Sequence, residues 1–389
     1  MTRQGSSAMQ KLTAGVAVAA LLSASPVFAE GKPIRLGYAA AITGGLSPYD
    51  SVPGAECAIE RINAAGGVLG RPLELVARDM KSDAVTSSVV AQELVDMDVT
   101  AILAPPTDDT AIPVAALAAA QQIPVISVGS TQVQLPMASP TNTYLTAYGD
   151  NLAAGAVAQI AIERGMTHAA TMVSRDYGAY GIVIPQYFTD AFTHLGGKIV
   201  GSVNYNMGLS DYSAQVAEVK AMEPAPQLIV GGFLMPEAGV IPRQFKAGNV
   251  DVAFMGTDGF DDPGLIEIAG QGGASVTFVT HGFPSEGSDL KAFYDDCTTR
   301  GHKIENVFFA LGGEAVMLVA DAITRAGSDD PAAVNAALAE TEGFHGITSS
   351  SITYKGQHGV PIKEMSIVTI KDGAFASVGT ILPKYIPAP

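Results

Sequence analysis

The stretch that decides the fold is Ile102–Thr131, ILAPPTDDTAIPVAALAAAQQIPVISVGST. A short apolar run, Thr100 to Leu103, reads as a buried strand. It enters Ala104-Pro105-Pro106-Thr107-Asp108-Asp109-Thr110, whose Pro, Thr and Asp content is turn chemistry. An Ala-rich helix follows, and a second strand, Pro124 to Val128, ends at Gly129-Ser130-Thr131. This is a β–α–β unit with small polar residues at both strand carboxyl ends. In an open parallel sheet, ligands bind in the crevice outside those ends. The helix N-terminus there offers free N–H groups and partial positive charge. The stretch therefore reads as half of a small-molecule site.

The same alternation extends both ways. Upstream, Pro33–Ala41 (PIRLGYAAA) is a strand, Ile42–Tyr49 a loop and Val52–Ala65 a helix with apolar residues at Ala55, Ala58, Ile59 and Ile62. Gly66-Gly67 ends that helix, and Leu73–Ala77 is the next strand. Ser87–Val95 is a further helix. Downstream, a long polar loop with Pro136 and Pro140 precedes a strand-like Thr143–Thr146. Helices are then expected over 151–164, 181–195, 212–222, 236–247 and 263–269, alternating with strands over 169–173, 199–203, 228–230, 252–255 and 276–279. From Ser288 the rhythm breaks into three successive helices, 289–300, 308–326 and 331–339. Asp330-Pro331 forms an N-cap and first-turn pair. The tail, 349–354, 364–370 and 374–381, reads as extended. The expected fold class is α/β, with two doubly wound parallel-sheet lobes.

Bulk properties narrow the function. The first 29 of the 389 residues read as a secretory signal: Arg3 and Lys11, an apolar Leu12–Leu22, then Val27-Phe28-Ala29 before Glu30. Cleavage near Ala29 leaves 360 residues, with 20 basic against 38 acidic side chains, a net charge of −18. That balance argues against nucleic acid and anionic membrane surfaces as partners. The length suits two domains. The only cysteines, Cys57 and Cys297, sit on helix-like patterns. A disulfide in an oxidising compartment and two buried free thiols are both open, and the patterns favour free thiols. Trp is absent, so aromatic contacts fall to Tyr and Phe.

No His-Glu-x-x-His, Gly-x-Ser-x-Gly or Gly-x-x-x-x-Gly-Lys segment occurs. The six His residues are scattered; His281, beside an expected crossover, reads as a surface or hinge residue. Asp108-Asp109 and Asp261-Asp262 lack the loop a Ca²⁺ site needs. The expectation is a binding protein with no catalytic residues, no metal and no cofactor.

One run, Ile62-Asn63-Ala64-Ala65-Gly66-Gly67-Val68-Leu69-Gly70-Arg71-Pro72-Leu73-Glu74-Leu75, resembles a helix–GG–turn–strand segment of the type I periplasmic solute-binding proteins of ABC importers, branched-chain amino acid group. Three supporting segments follow in the same order: Asp176–Gly181 (DYGAYG), Phe254–Gly259 (FMGTDG) and Thr353–Gly359 (TYKGQHG). The resemblance covers essentially the whole chain after the leader. It implies two lobes joined by three hinge crossovers, near 147–150, 279–282 and 345–349. Lobe 1 would comprise 30–148 plus 281–344, and lobe 2 149–280 plus 345–389.

It also implies a ligand set. Tyr49 would line the side-chain pocket. Asp108 falls where the family has a carboxylate-clamping Ser. Gly129 and Thr131 would complete that clamp, with Ser130 between them. Tyr180 would lie beside the ligand, Phe233 falls at a Tyr position, and Asp258 would hold an ammonium group. Asp108 is the departure, since a carboxylate there repels a ligand carboxylate. Asp108 turning away to cap its helix, backbone N–H groups clamping instead, and a ligand carrying a donor at that point all remain open. The implied partners are a small solute (amino acid, amine or amide) and an ABC permease in the inner membrane, with the protein a monomer in the periplasm.

Overall fold

The computed structural model describes residues 1–2, 31–176 and 178–389. The leader expected over 1–29, from residue 3 onward, and Tyr177 lie outside the described residues.

The first sheet takes β1 (Ile34–Ala40), β2 (Leu73–Asp79), β3 (Ala101–Ala104), β4 (Val125–Ser127) and β5 (Thr143–Leu145), in the order β2-β1-β3-β4-β5, all parallel. The second takes β6 (His168–Val173), β7 (Lys198–Asn204), β8 (Leu228–Gly231), β9 (Ala253–Gly256), β10 (Val276–Thr280), β11 (Met365–Lys371) and β12 (Ala374–Ile381), in the order β12-β11-β10-β9-β8-β6-β7. The second sheet is not wholly parallel as expected. The tail folds back as a hairpin, so β11 and β12 pair antiparallel beside β10.

The connecting helices are α1 (Val52–Ala64), α2 (Ala84–Val95), α3 (Asp108–Ala119), α4 (Gln134–Ala138), α5 (Asp150–Glu163), α6 (Tyr180–His194), α7 (Ser213–Lys220), α8 (Glu237–Ala247), α9 (Gly264–Ala269), α10 (Asp289–Thr299), α11 (Phe308–Ala326) and α12 (Pro331–Ala339). The short α4 lies in the segment expected to be loop. The Asp330 side chain caps α12 by accepting from Ala333 N at 3.0 Å.

Apolar strands without alternation are what burial on both sheet faces requires. In the first sheet, Leu36, Tyr38, Leu103, Ile126 and Val128 face one core with α1 and α11. Ala39, Ile102, Ala104 and Val125 face another with α2 and α3. The second sheet likewise divides Leu228 and Val230 from Ile229. Where α1 meets α11 the backbones nearly touch: a Cβ on Gly54 would fall onto the Phe309 carbonyl.

Cys57 and Cys297 form a disulfide, contrary to the free thiols favoured above. Both are fully buried in the same core, on α1 and α10, with their Cα atoms 5.8 Å apart, inside the bridging range. The helix patterns were sound; the docking of α10 on α1, which pairs the sulfurs, is tertiary.

The chain passes between sheets after β5, after β10 and before β11. The third passage comes later than 345–349. Ile347, Ile352 and Tyr354 pack in the first sheet's core, and Leu145 N donates to Gly359 O at 2.8 Å. Beside these passages lies a fully buried ion pair, Lys363–Glu314, 3.1 Å apart. Lys363 Nζ also donates to Thr146 O (3.0 Å) and Thr348 Oγ1 (2.6 Å). Glu314 Oε1 accepts from Thr348 N at 2.7 Å.

Candidate binding cleft

Between the sheets lies a small cavity of about 40 Å³. Nearly every residue of its wall follows a strand carboxyl end, as the doubly wound architecture dictates. Leu46 and Tyr49 follow β1, Pro106 and Thr107 follow β3, and Gly129, Thr131 and Gln132 follow β4. From the second sheet, Tyr180 follows β6, Leu234 follows β8, and Asp258 and Gly259 follow β9; Phe308 at the start of α11 completes the wall.

Local bonds hold these groups in place. Asn306 donates to Pro48 O at 2.6 Å and accepts from Phe308 N at 3.0 Å, tying the β1 loop to α11. Tyr49 then packs edge-on against Phe308, ring centroids 5.0 Å apart, and its hydroxyl accepts from Met235 N across the cleft at 3.3 Å. Gln132 Oε1 accepts from Asp108 N (3.0 Å) and Ser130 Oγ (2.9 Å), which joins the two strand-end loops. Gly129 has φ +95°, and a Cβ there would lie 2.7 Å from the Phe308 ring, so only glycine fits. Tyr180 Oη lies 2.5 Å from Thr257 Oγ1 and accepts from Gly259 N at 3.3 Å. This fixes the 3₁₀ turn Asp258–Phe260 that presents Asp258.

Five of the eight expected ligand residues meet at this wall: Tyr49, Gly129, Thr131, Tyr180 and Asp258. Three do not. Asp108 opens α3 and turns its carboxylate back to accept from Asp109 N at 2.8 Å, while Thr107, one residue earlier, takes the wall position. Ser130 is buried and spent on Gln132. Phe233 points into the second sheet's core against Phe254 and Phe260, and its neighbour Leu234 faces the cleft.

The polar character of the cleft is acidic. No Lys, Arg or His lines it among the described residues. Asp258 is 4% exposed, and its Oδ1 has no hydrogen-bond partner among the described residues. Asp150, the first residue of α5, is fully buried, and no well-aligned hydrogen bond reaches either oxygen among the described residues. Burial raises its pKa well above the carboxylate range; the nearby Thr131 hydroxyl lowers it, and Asp258 and Asp108 raise it further. Burial likewise raises Asp108. Thr107, Leu234 and Phe308 line the wall and were not anticipated from sequence.

A cleft between two sheets, apolar on several sides and with a few convergent polar groups, is the kind of site that takes a small solute. The chain matches the "periplasmic binding protein" family model over residues 33–374.

The chain belongs to the periplasmic binding protein family.

Its curated relatives are solute-binding proteins. The leucine-, isoleucine-, valine-, threonine- and alanine-binding protein of Pseudomonas aeruginosa is 25% identical, covering 86% of this chain and 89% of its own length. Among solved structures, the leucine-binding protein LivK of Thermotoga maritima aligns with a TM-score of 0.81 at 26% identity, over 90% of this chain and 99% of that one. A solute-binding protein from R. palustris in complex with benzoate shares the fold, with a TM-score of 0.78 at 18% identity, over 91% and 98% of the two chains. As a periplasmic binding protein, this chain has the two-sheet α/β architecture of those structures. Among its described residues no helix is long and apolar enough to cross a membrane, and no cluster of metal-ligating side chains occurs.

Proposed function

We propose that this periplasmic binding protein is the receptor of an ABC importer, and that its solute carries an ammonium group. A branched-chain or related amino acid fits, as does an amine or amide analogue. The observation that carries this reading is Asp258 Oδ1, a buried carboxylate oxygen at the cavity wall without a partner among the described residues. A buried charge left unpaired costs several kcal/mol, and a ligand ammonium removes that cost by a charge-assisted bond. An aromatic acid suits the site less, because its carboxylate would meet Asp258 with no cationic side chain to offset it.

In this reading Tyr49, Gly129, Thr131, Tyr180 and Asp258 contact the solute, joined by Thr107 and Leu234. A ligand carboxylate would lie against Thr107, Thr131 and the N-terminus of α3. The lobes are 30–148 with 281–360, and 149–280 with 361–389. The leader is removed near Ala29 on export to the periplasm, and the monomer offers its closed form to the permease without transforming the solute. Closure follows from the ligand bridging both lobes, and is limited by its differential affinity for the closed form.

The test is a thermal-shift panel of L-leucine, L-valine, isoamylamine, leucinamide and benzoate. A binder at 100 times its Kd stabilises by about 2.7 kcal/mol. Stabilisation by ammonium solutes, lost in Asp258→Asn, is the expected result. A shift with benzoate alone would overturn the assignment.

A further inference from the structure

His281 follows β10 directly, on the second passage between the sheets, and is fully buried. It does not line the cavity, so it is not a ligand contact. Its ring stacks on Tyr148 of the first passage, centroids 4.1 Å apart at 26°, and meets Phe308 edge-on at 6.1 Å. Tyr148 Oη in turn donates to Val279 O at 3.2 Å. The imidazole is thus wedged between two hinge strands and the cleft wall, with its Nε2 3.4 Å from Asp258 Oδ2.

The charged groups around this ring define its state. Asp258 is the nearest; Lys363, from the segment before β11, and Glu314, on α11, act from the hinge side. Burial lowers the pKa of His281 and outweighs the upward pull of Asp258; Lys363 lowers it further and Glu314 raises it. Burial thus favours the neutral ring. A carboxylate only accepts, so the proton of a neutral ring facing it sits on Nε2. Nδ1 has no partner among the described residues.

The two oxygens of Asp258 are therefore unequal. Oδ2 is engaged by His281, and Oδ1 is the one left for the ligand. A guanidinium or amidinium binds a carboxylate best through two parallel N–H···O bonds and needs both oxygens. A compact ammonium needs one acceptor and finds its others elsewhere.

We propose that His281 is a positioning residue that holds Asp258 in a one-acceptor presentation and so sets the cleft's preference for an ammonium over a guanidinium or amidinium. This rests on the reading that Asp258 receives the ligand's cation.

Two measurements test it. In the ligand-free protein, histidine ring ¹⁵N NMR, assigned with His281→Gln, should show a neutral ring protonated on Nε2 at pH 7. A cationic ring or the Nδ1–H tautomer would overturn the proposal without reference to any ligand. Calorimetry with isoamylamine and isoamylguanidine then reads selectivity. Wild type should prefer the amine by at least about tenfold. His281→Phe keeps a stacking ring and loses the donor, so its preference should fall to within about threefold; His281→Gln, which can donate to Oδ2, should restore it. Melting temperatures of both variants separate misfolding from lost positioning. Unchanged selectivity in His281→Phe overturns this inference and leaves the ammonium reading intact. Binding of neither probe by wild type overturns both.

Discussion

Glu314 and Asp258 are buried carboxylates with opposite surroundings. At the hinge, Glu314 has Lys363 at 3.1 Å, the Thr348 N–H and the Thr348 hydroxyl, and Lys363 is itself satisfied by Thr146 O. At the cleft, Asp258 Oδ1 has no partner among the described residues. Full satisfaction marks the group that keeps the passages in register. In the proposed reading, incomplete satisfaction marks Asp258 as the group that receives the solute. The same protein thus spends one buried acid on architecture and leaves one oxygen of another without a partner among the described residues at the cleft wall.

The comparison breaks most sharply at Lys363. Lys363→Met should leave Glu314 buried without its cation and lower stability by about 3–5 kcal/mol, read by chemical denaturation. Asp258→Asn should do the reverse: solute affinity falls at least about a hundredfold in calorimetry, equivalent to about 2.7 kcal/mol, while the melting temperature without solute stays level or rises. If both substitutions destabilise equally, the distinction fails. Between them in size, Cys57→Ser with Cys297→Ser should cost about 2–4 kcal/mol of stability without altering solute selectivity.

A pH series sharpens the contrast further. Burial raises Asp261 to about 7, so the folded state holds a proton there that the unfolded chain has released. The folded form binds more protons between about pH 4 and 7, so this group makes stability fall as pH rises through that window and level off above it. Asp150 acts in the same direction. His281 acts oppositely: with its pKa lowered, its contribution is present above about 6.5 and is lost as pH falls below it. Melting curves of Asp261→Asn should lose the decline toward neutral pH, and those of His281→Gln should lose the weakening below 6.5. The smallest effect is expected at Asp108→Asn, whose side chain faces its own helix; affinity should change by less than about threefold.

Much of this was legible in the chain. The β–α alternation and the three successive helices follow from periodicity, and Gly129 and Thr131 lie at a strand end where the architecture favours a ligand; the return of those helices to the first sheet, and Tyr180 and Asp258, were implied by the family resemblance. What escaped was finer than an element. Asp108 and Thr107 differ by one position at a helix start, where the cap faces the crevice and the next residue turns into the first turn. Phe233 and Leu234 differ by one position in an extended segment, where successive side chains face opposite sides. Phe308 reaches the cleft from about 180 residues beyond Gly129, and the cysteines pair over a separation of 240. No local signal encodes such contacts.

The disulfide has a mechanical consequence. By joining Cys57 to Cys297 it closes a covalent ring around the whole run from α5 to β10. Pulled from its two ends, the oxidised chain can lengthen only by residues outside that ring. Strands β6 to β10 would be shielded from tension while β11 and β12, outside the ring, would take the force, and only reduction would release the enclosed length.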